Sequence, residues 1–236
     1  MRMNWHCVTM TATVLVTLLL SCGCSGNDTD EFSYLYKDLP FEMEKVTRPS
    51  IPDRTVCITD FGGNGNGVAS NTQAFRDAID HLSSAGGGHL VVPPGIWYTG
   101  PIGLKSGIDL HVDPLAVIIF DPDPSLYPIV NTVFEGLDTK RCDAPIHADN
   151  AHDISVTGGG IIDGSGSAWR AVKKSKVTAA EWDSCLARGG VLNEKGNVWY
   201  PSEAYRMGHD LCGSNVPPKD LDDAGYDAIR DFLRPE

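Results

Sequence analysis

Short apolar runs recur at regular intervals through the middle of the chain. Each run is three or four residues long and is bounded by Pro, Gly or Asp, which is typical of short β-strands. The runs are residues 90–92, 96–98, 110–112 and 117–120. A shift of 20 residues places Leu90 on Leu110 and Tyr98 on Ile118, so successive runs superpose. The pattern therefore predicts short strands that repeat at a fixed interval.

A second offset supports a repeating architecture. A shift of 44 residues carries Asp109 onto Asp153 and Val117 onto Ile161. One turn of about 20 to 22 residues gives the first offset, and two such turns give the second. Fixed-period self-similarity of this kind is typical of solenoids. In a solenoid, the strands of each coil stack on the previous coil and pair their backbone groups with it. A β-sandwich is the alternative fold, and we favour the solenoid because the same two-strand pattern recurs in register.

One amphipathic helix is predicted ahead of the strands, over residues 71–84. Asn71 is a suitable N-cap residue, and Phe75, Ile79 and Leu82 fall at i, i+4 and i+7 on one apolar stripe. Three consecutive glycines then end the helix, because glycine accepts the left-handed conformation at a helix C-terminus. We expect this helix to cover the first coil, whose strand edge and apolar column would otherwise be exposed.

The amino terminus is predicted to be a signal peptide over residues 1–21. Residues 8–20 carry no charge, and this stretch is shorter than the roughly 20 residues that a membrane-spanning helix needs. It ends in Leu-Leu-Ser-Cys, which resembles the lipobox of bacterial lipoproteins, so Cys22 is the predicted lipidation site and the protein a membrane-anchored lipoprotein. Cys24 is the alternative acceptor, and an ordinary secretory signal is the other alternative. Each interpretation predicts an exported protein.

Residues 22–52 are predicted to form a flexible tether, and the domain is placed at residues 53–236. The tether begins with a polar stretch that cannot bury much surface. The chain carries a net charge of −12, which counts against a general nucleic-acid-binding protein because such proteins need a basic face. Its seven cysteines show no zinc-type spacing and do not define a disulfide pairing. No metal and no cofactor are predicted.

Several motifs together carry a family resemblance over residues 56–170. The opening motifs resemble the first coils of pectate-lyase-like β-helices, and the later ones are similar to glycoside hydrolase family 28, the polygalacturonases, with the bacterial lipoprotein-type members closest. The resemblance implies an all-β, right-handed parallel β-helix, here its amino-terminal coils, with an amphipathic cap helix and a long irregular or helical excursion over residues 165–236. The motifs are D-F-G-G at 60–63, G-G-G-H-L-V-V-P at 86–93, T-G-P-I-G-L-K-S at 99–106 and G-I-I-D-G-S-G at 160–166.

The resemblance implies an exported pectin-degrading glycoside hydrolase of the polygalacturonase type. In that family one carboxylic acid protonates the leaving oxygen of a galacturonosyl bond while others activate water from the opposite face. Family members carry these acids in N-T-D and D-D motifs, with G-H-G and R-I-K motifs that contact the uronate. None of the four stands in a β-coil context in this sequence, so no catalytic residue is assigned. We therefore expect an amino-terminal fragment, truncated before its catalytic carboxylates and inactive as this chain.

Four segments approach those motifs, and none is assigned a catalytic role. Residues 27–30 read Asn-Asp-Thr-Asp and lie in the predicted tether, before the domain. Asp222 and Asp223 precede a helical stripe and are predicted to start a helix, where carboxylates favour the positive end of the dipole. Asp163 stands before a glycine at a predicted tight turn. Residues 208–210 read Gly-His-Asp and are flanked by no β run.

A basic cluster stands out in the excursion, which is predicted to lack short β runs. The cluster comprises Arg170, Lys173, Lys174 and Lys176. Arg170 and Lys173 are the candidate substrate-binding residues, because a guanidinium or ammonium group pairs with the carboxylate of a galacturonate. A solvated basic face is the alternative interpretation. The expected partners are a pectic polysaccharide, either polygalacturonate or rhamnogalacturonan, and a membrane that is reached through the lipid anchor.

Two other functional classes remain open from the sequence. A non-catalytic polyuronate-binding β-helix would use the basic cluster together with tryptophans that we expect to be exposed in the excursion. A pectate lyase or epimerase-like relative could use the same scaffold. Lyases of this fold usually bind Ca²⁺ through clustered carboxylates, and no such cluster stands on a β run.

Overall fold

The computed structural model describes residues 33–213, 216–218 and 220–234. These residues belong to two compact units, Met1–Thr47 and Arg48–Glu236. In the first unit, Ser33–Tyr36 form a 3-10 turn, and the Val46 N–H donates to the Tyr36 hydroxyl at 3.1 Å. The predicted lipidation site, Cys22, and the predicted signal peptide lie outside the described residues.

The second unit contains short strands and four helices among its described residues. The strands are β1 (Thr55–Cys57), β2 (Asn66–Ser70), β3 (Gly88–Val92), β4 (Gly95–Thr99), β5 (Ile102–Gly103), β6 (Ile108–Val112), β7 (Ala116–Phe120), β8 (Ile129–Phe134), β9 (Leu137–Cys142), β10 (Ile146–His147), β11 (Ser155–Gly158), β12 (Ile161–Asp163), β13 (Val172–Lys173), β14 (Val191–Leu192) and β15 (Val198–Tyr200). The helices are α1 (Thr72–Ser84), α2 (Ala179–Ala187), α3 (Glu203–Cys212) and α4 (Asp223–Ala228). No helix in this described part is long and apolar enough to span a bilayer.

Three parallel sheets confirm the predicted parallel β-helix. Sheet A has the order β1-β3-β6-β11, sheet B the order β12-β7-β4-β2, and sheet C pairs β5 with β10. Each coil therefore contributes one strand to sheet A and the next to sheet B. Every ladder in these three sheets joins strands from different coils, so backbone hydrogen bonds run between coils as the solenoid prediction requires.

The predicted 20-residue offset is confirmed in sheet A and wrong by one residue in sheet B. Leu90 pairs with Leu110, but Tyr98 pairs with Ile119 and not with Ile118. The corner between β6 and β7 has one residue more than the corner between β3 and β4, and Leu115 in it has a positive φ of 69°. That extra residue keeps the buried side chains of sheet B on the inner face, since a one-residue slip would turn them outward.

The predicted 44-residue offset is confirmed in sheet B and wrong by two residues in sheet A. Val117 pairs with Ile161, but Asp109 pairs with Ser155 and not with Asp153. Asp153 lies in the corner before β11, with a positive φ of 52°. The corner after β11 is correspondingly short. Gly158, the last residue of β11, leads into it with a φ of 95°, and a Cβ there would clash with the Val112 carbonyl oxygen. Only a residue without a side chain fits that approach.

Helix α1 packs its apolar face on the coil interior, as predicted. Phe75, Ile79 and Leu82 are buried in the same cluster as Leu90 and Leu110. Because these side chains belong to one continuous core, the helix covers apolar surface that the coils would otherwise expose.

Asn71 precedes α1, but its side chain does not cap the helix. Its Oδ1 accepts the Asn64 N–H at 2.7 Å, and its Nδ2 donates to the carbonyls of Ala69 at 2.9 Å and Tyr98 at 3.0 Å. The side chain is buried and ties the first coil to the second. The predicted capping role is therefore wrong, because tertiary contacts use the amide instead.

The excursion contains strands that the sequence did not predict. Strands β13, β15 and β14 form a small antiparallel sheet, so the expectation of no short β runs after residue 165 is wrong. Each of these strands has only two or three residues, too few for an alternating pattern to be visible. An antiparallel hairpin, β8–β9, also interrupts the coil between sheets B and C.

Candidate functional site

The two predicted substrate-binding residues, Arg170 and Lys173, line one cavity of about 750 Å³ in the excursion. Lys176 and Arg188 line it as well. We call this feature the basic cavity. The structure thus brings four cationic side chains to one place in a chain whose net charge is −12.

Local structure positions the cavity walls. Lys173 ends β13, which pairs with β15, and a 3-10 turn at Lys174–Lys176 leads into α2. Thr178 caps α2 in a capping box, in which Oε2 of Glu181 accepts both the N–H and the hydroxyl of Thr178 at 2.8 Å. Such reciprocal capping fixes the first turn of a helix. The 3-10 turn and the start of α2 therefore hold this wall of the cavity in place.

The electrostatics of the cavity favour an anion. Arg170, Lys173 and Lys176 are exposed and form no ion pair with any residue of the described part of the chain. The nearby carboxylate of Glu181 is engaged by Thr178, whose backbone and hydroxyl hydrogen bonds lower the pKa of Glu181. This carboxylate stays ionised but does not pair with the cations. An incoming carboxylate therefore meets unpaired positive charge.

The sequence did not indicate Arg188 as a cavity residue, because it lies outside the basic cluster. Its guanidinium carbon lies 4.9 Å from the centroid of the Trp199 ring, and its Nη2 lies 3.2 Å from Sγ of Cys185. Lys174 belongs to the cluster in sequence but is not among the cavity residues. Its ammonium lies over the ring of Trp182, 5.6 Å from the centroid. The cavity therefore contains Arg188, which the sequence did not indicate, and lacks Lys174, which belongs to the basic cluster in sequence.

The tryptophans of the excursion are buried, contrary to our expectation. Trp169 and Trp182 are each 5% exposed and Trp199 is 4% exposed. They fill two apolar clusters of the excursion, where they pack against other side chains. The tryptophans therefore cannot stack on a sugar, and the binding interpretation loses one of its two supports while the basic cluster remains.

A second cavity of about 400 Å³ lies beside sheet C. It is lined by Arg76, Lys105 and His147 among other residues, and none of these was a candidate binding residue in the sequence. The Lys105 ammonium is paired with Asp80 at 2.7 Å, and Nδ1 of His147 lies 3.3 Å from an Asp143 carboxylate oxygen. Asp80 therefore neutralises one of the two permanent cations, Lys105, and leaves Arg76, which makes this cavity a weaker anion site than the basic cavity with its four cations.

Two of the segments that approach the family's motifs, Asp163 and Asp222–Asp223, have the structural roles that we predicted, while residues 208–210 lie within α3 and residues 27–30 lie outside the described residues. Asp163 accepts the Ser165 N–H at 2.8 Å at the end of β12. Asp222 caps α4 by accepting the Gly225 N–H at 2.8 Å, and Asp223 begins that helix. Each of these carboxylates accepts a local backbone N–H or takes part in an ion pair, and they do not form a pair of catalytic acids.

Cysteines and metal ligands add no further site in the part of the chain that the structure describes. Within the described ranges Cys57, Cys142, Cys185 and Cys212 are unpaired thiols. The same ranges contain no group of three or more His, Cys, Asp or Glu side chains placed to hold a metal ion.

Comparison with known proteins gives similarity over about half of the chain. No protein-family model matches it. A probable polygalacturonase of Vitis vinifera is 38% identical over 121 residues, covering 48% of this chain and 25% of that protein. An exo-poly-alpha-D-galacturonosidase of Dickeya chrysanthemi is 28% identical over 129 residues, covering 51% of this chain and 21% of that protein. The chain thus spans about a quarter of the length of these curated relatives.

Among solved structures, an exopolygalacturonase from Thermotoga maritima is similar to this chain. It shares 45% sequence identity, with 51% of this chain and 27% of that one covered, and the TM-score is 0.49.

Proposed function

Because this chain is a polygalacturonase-like protein of glycoside hydrolase family 28, we propose that it serves in the degradation of pectin and holds a galacturonate polymer at the basic cavity. The observation that carries the proposal is the convergence of Arg170, Lys173, Lys176 and Arg188 on one cavity in an acidic chain. Each unit of a polyuronate carries one carboxylate, so a run of cations matches its charge pattern.

The first test is direct binding of polygalacturonate to the purified chain. The double variant Arg170→Gln/Lys173→Gln removes two exposed cations, each of which contributes about 0.2–1 kcal/mol, so affinity should fall about 2- to 30-fold. Lys195→Gln is the matched control, because Lys195 is an exposed lysine that lines a different cavity. A neutral galactan should show no dependence on either change. Equal affinities of the wild type and the double variant for polygalacturonate would contradict the proposal.

We further propose that this polypeptide by itself binds polyuronate without cleaving it. The support is its sequence, in which the acidic motifs of the resembling family do not stand on a β coil. An assay for new reducing ends on polygalacturonate should give no signal above a heat-treated sample. Release of reducing ends would contradict this proposal, and an unsaturated uronate product would point instead to elimination.

We also propose that the protein is exported and carries a lipid on Cys22. The support is the uncharged stretch at residues 8–20 and the lipobox-like sequence that follows it. In a bacterial host, metabolic labelling with a fatty-acid analogue should mark the wild type and the Cys24→Ala variant equally. Cys22→Ala should remove the label, and a labelled Cys22→Ala variant would contradict this assignment.

A further inference from the structure

The walls of the basic cavity are apolar between the cations. Ala171, Val172, Val177 and Ala180 line it together with the cations, and Ala180 belongs to α2. Its volume of about 750 Å³ lies within the roughly 300–1,000 Å³ of sites that bind drug-sized ligands. A methyl or acetyl group would leave most of that space unfilled. The cavity therefore fits a ligand with a larger apolar body.

Few neutral groups in the cavity can pair with sugar hydroxyls. The Ser184 hydroxyl donates to the Ala180 carbonyl at 2.9 Å, and the Glu181 carboxylate is engaged by Thr178. Ser167 is the remaining neutral hydroxyl of the lining. Sugar hydroxyls can pair with the four cations, but a sugar ring placed against the apolar part of the lining would lose water there without gaining partners, which is unfavourable for each unpaired hydroxyl.

The apolar walls rest on a packed aromatic base. Val172 and Val177 pack against the cluster of Trp182, Cys185 and Trp199. Arg188 is held over Trp199 and lines the cavity with a planar guanidinium, a group that stacks on aromatic rings as well as pairing with carboxylates. The apolar surface is thus preorganised, because its support is buried.

We propose that the basic cavity selects a uronide that carries an aromatic acyl group. The carboxylate lies at Arg170, Lys173 and Lys176, and the ring lies against Val177 and Ala180. This inference rests on the proposed function, in that the same cations hold the uronate chain. It adds the chemical class of the substituent that the cavity accepts.

Calorimetric titration of the full chain with two monoanions tests this proposal. The probes are 4-hydroxycinnamate, which has an aromatic body, and galacturonate, which has a hydroxylated one. The aromatic acid should bind at least about tenfold more tightly, because burial of its ring adds the apolar contribution. Lys176→Gln should weaken both probes alike, since the carboxylate is common to them.

The apolar walls are tested by near-isosteric polar changes. Val177→Thr/Ala180→Ser should remove most of the preference for 4-hydroxycinnamate, and Ala180→Ser alone should remove part of it at an exposed position where folding is not at risk. Ala187→Ser is the matched control, because it lies on α2 outside the cavity lining. Galacturonate binding as tight as that of 4-hydroxycinnamate, or a preference that survives both polar changes, would overturn the inference.

The two proposals fail in different ways. If polygalacturonate binding depends on Arg170 and Lys173 while neither monoanion is preferred, only the aromatic-acyl inference is wrong. If 4-hydroxycinnamate is preferred while polygalacturonate binding ignores both cations, the aromatic site stands and the polyuronate role is wrong.

Discussion

The imidazole Nδ1 of His89 lies 2.9 Å from a carboxylate oxygen of Asp109, its direct neighbour one coil further along sheet A. Asp109 also accepts the hydroxyls of Ser155 at 2.7 Å and Thr157 at 2.9 Å from the following coil. Its side chain is only 4% exposed although it stands on the outer face of the sheet. One carboxylate thus joins three successive coils.

These contacts predict a pH-dependent stability. Burial raises the pKa of Asp109, but the hydrogen bonds from His89, Ser155 and Thr157 outweigh it and the net pKa is lowered. A lowered folded-state pKa gives stability that is present above the unfolded-state value of about 4 and is lost as the pH falls through the folded-state value. Urea unfolding of the wild type should therefore show falling stability as the pH drops from 5 to 3.

Asp109→Asn should remove that part of the pH dependence and should cost about 1–3 kcal/mol at pH 7, because bonds to a charged acceptor are lost. Asp138→Asn is the control, since the Asp138 side chain is exposed and forms no ion pair or hydrogen bond within the described residues. A pH profile of Asp109→Asn that matches the wild type would show that the carboxylate does not stabilise the coils.

Asn71 gives a prediction that separates capping from coil bridging. Serine is as good an N-cap residue as asparagine, so a capping role would make Asn71→Ser nearly neutral. Because the amide instead bonds to Asn64, Ala69 and Tyr98, we expect Asn71→Ser to lower the free energy of unfolding by about 2–4 kcal/mol. Urea unfolding at neutral pH measures this. A loss below about 0.5 kcal/mol would support the capping role.

Thr139 gives a prediction of the opposite sign. Its Oγ1 is buried and has no hydrogen-bond partner among the described residues. Thr139→Val replaces this hydroxyl with a methyl group of similar size, so thermal unfolding should occur at the same or a higher temperature, with a gain of up to about 1 kcal/mol. Thr139→Ala should destabilise the protein because it leaves a cavity. Loss of stability in the valine variant would reveal a partner for the hydroxyl.

The last described coil exposes apolar side chains that continue the inner columns. Val156 follows Leu110 in sheet A and is 48% exposed, and Ile162 follows Ile118 in sheet B and is 41% exposed. Strand edges with exposed apolar groups favour association, and lysine on them disfavours it. Sedimentation should therefore show concentration-dependent self-association of the wild type and less of it for Ile162→Lys. A lysine on the exposed coil corner, as in Leu115→Lys, should have no effect, and equal association of all three proteins would refute the prediction.

The amino-acid sequence by itself determined the repeating strands, the amphipathic helix and the resemblance to polygalacturonases. Residues 90–92 and 110–112 alternate between inner and outer faces, and Phe75, Ile79 and Leu82 repeat at the helical period. Such periodicity is local, because each side chain's face follows from its own position in the element. The basic cluster was visible for the same reason, since its members are near neighbours in the chain.

Only the tertiary structure decided the register, the burial of the tryptophans and the composition of the cavity. The pairing of Asp109 with Ser155 depends on how many residues each corner contains, and Gly158 at the end of β11 allows a close approach to Val112 that no residue with a side chain fits. Trp182 and Trp199 are buried by contacts between segments that no local pattern relates. Arg188 lies near Arg170 and Lys173 only because α2 folds back beside β13. The four cations of the cavity are therefore neighbours in the folded protein, although Arg188 is distant from the others in sequence.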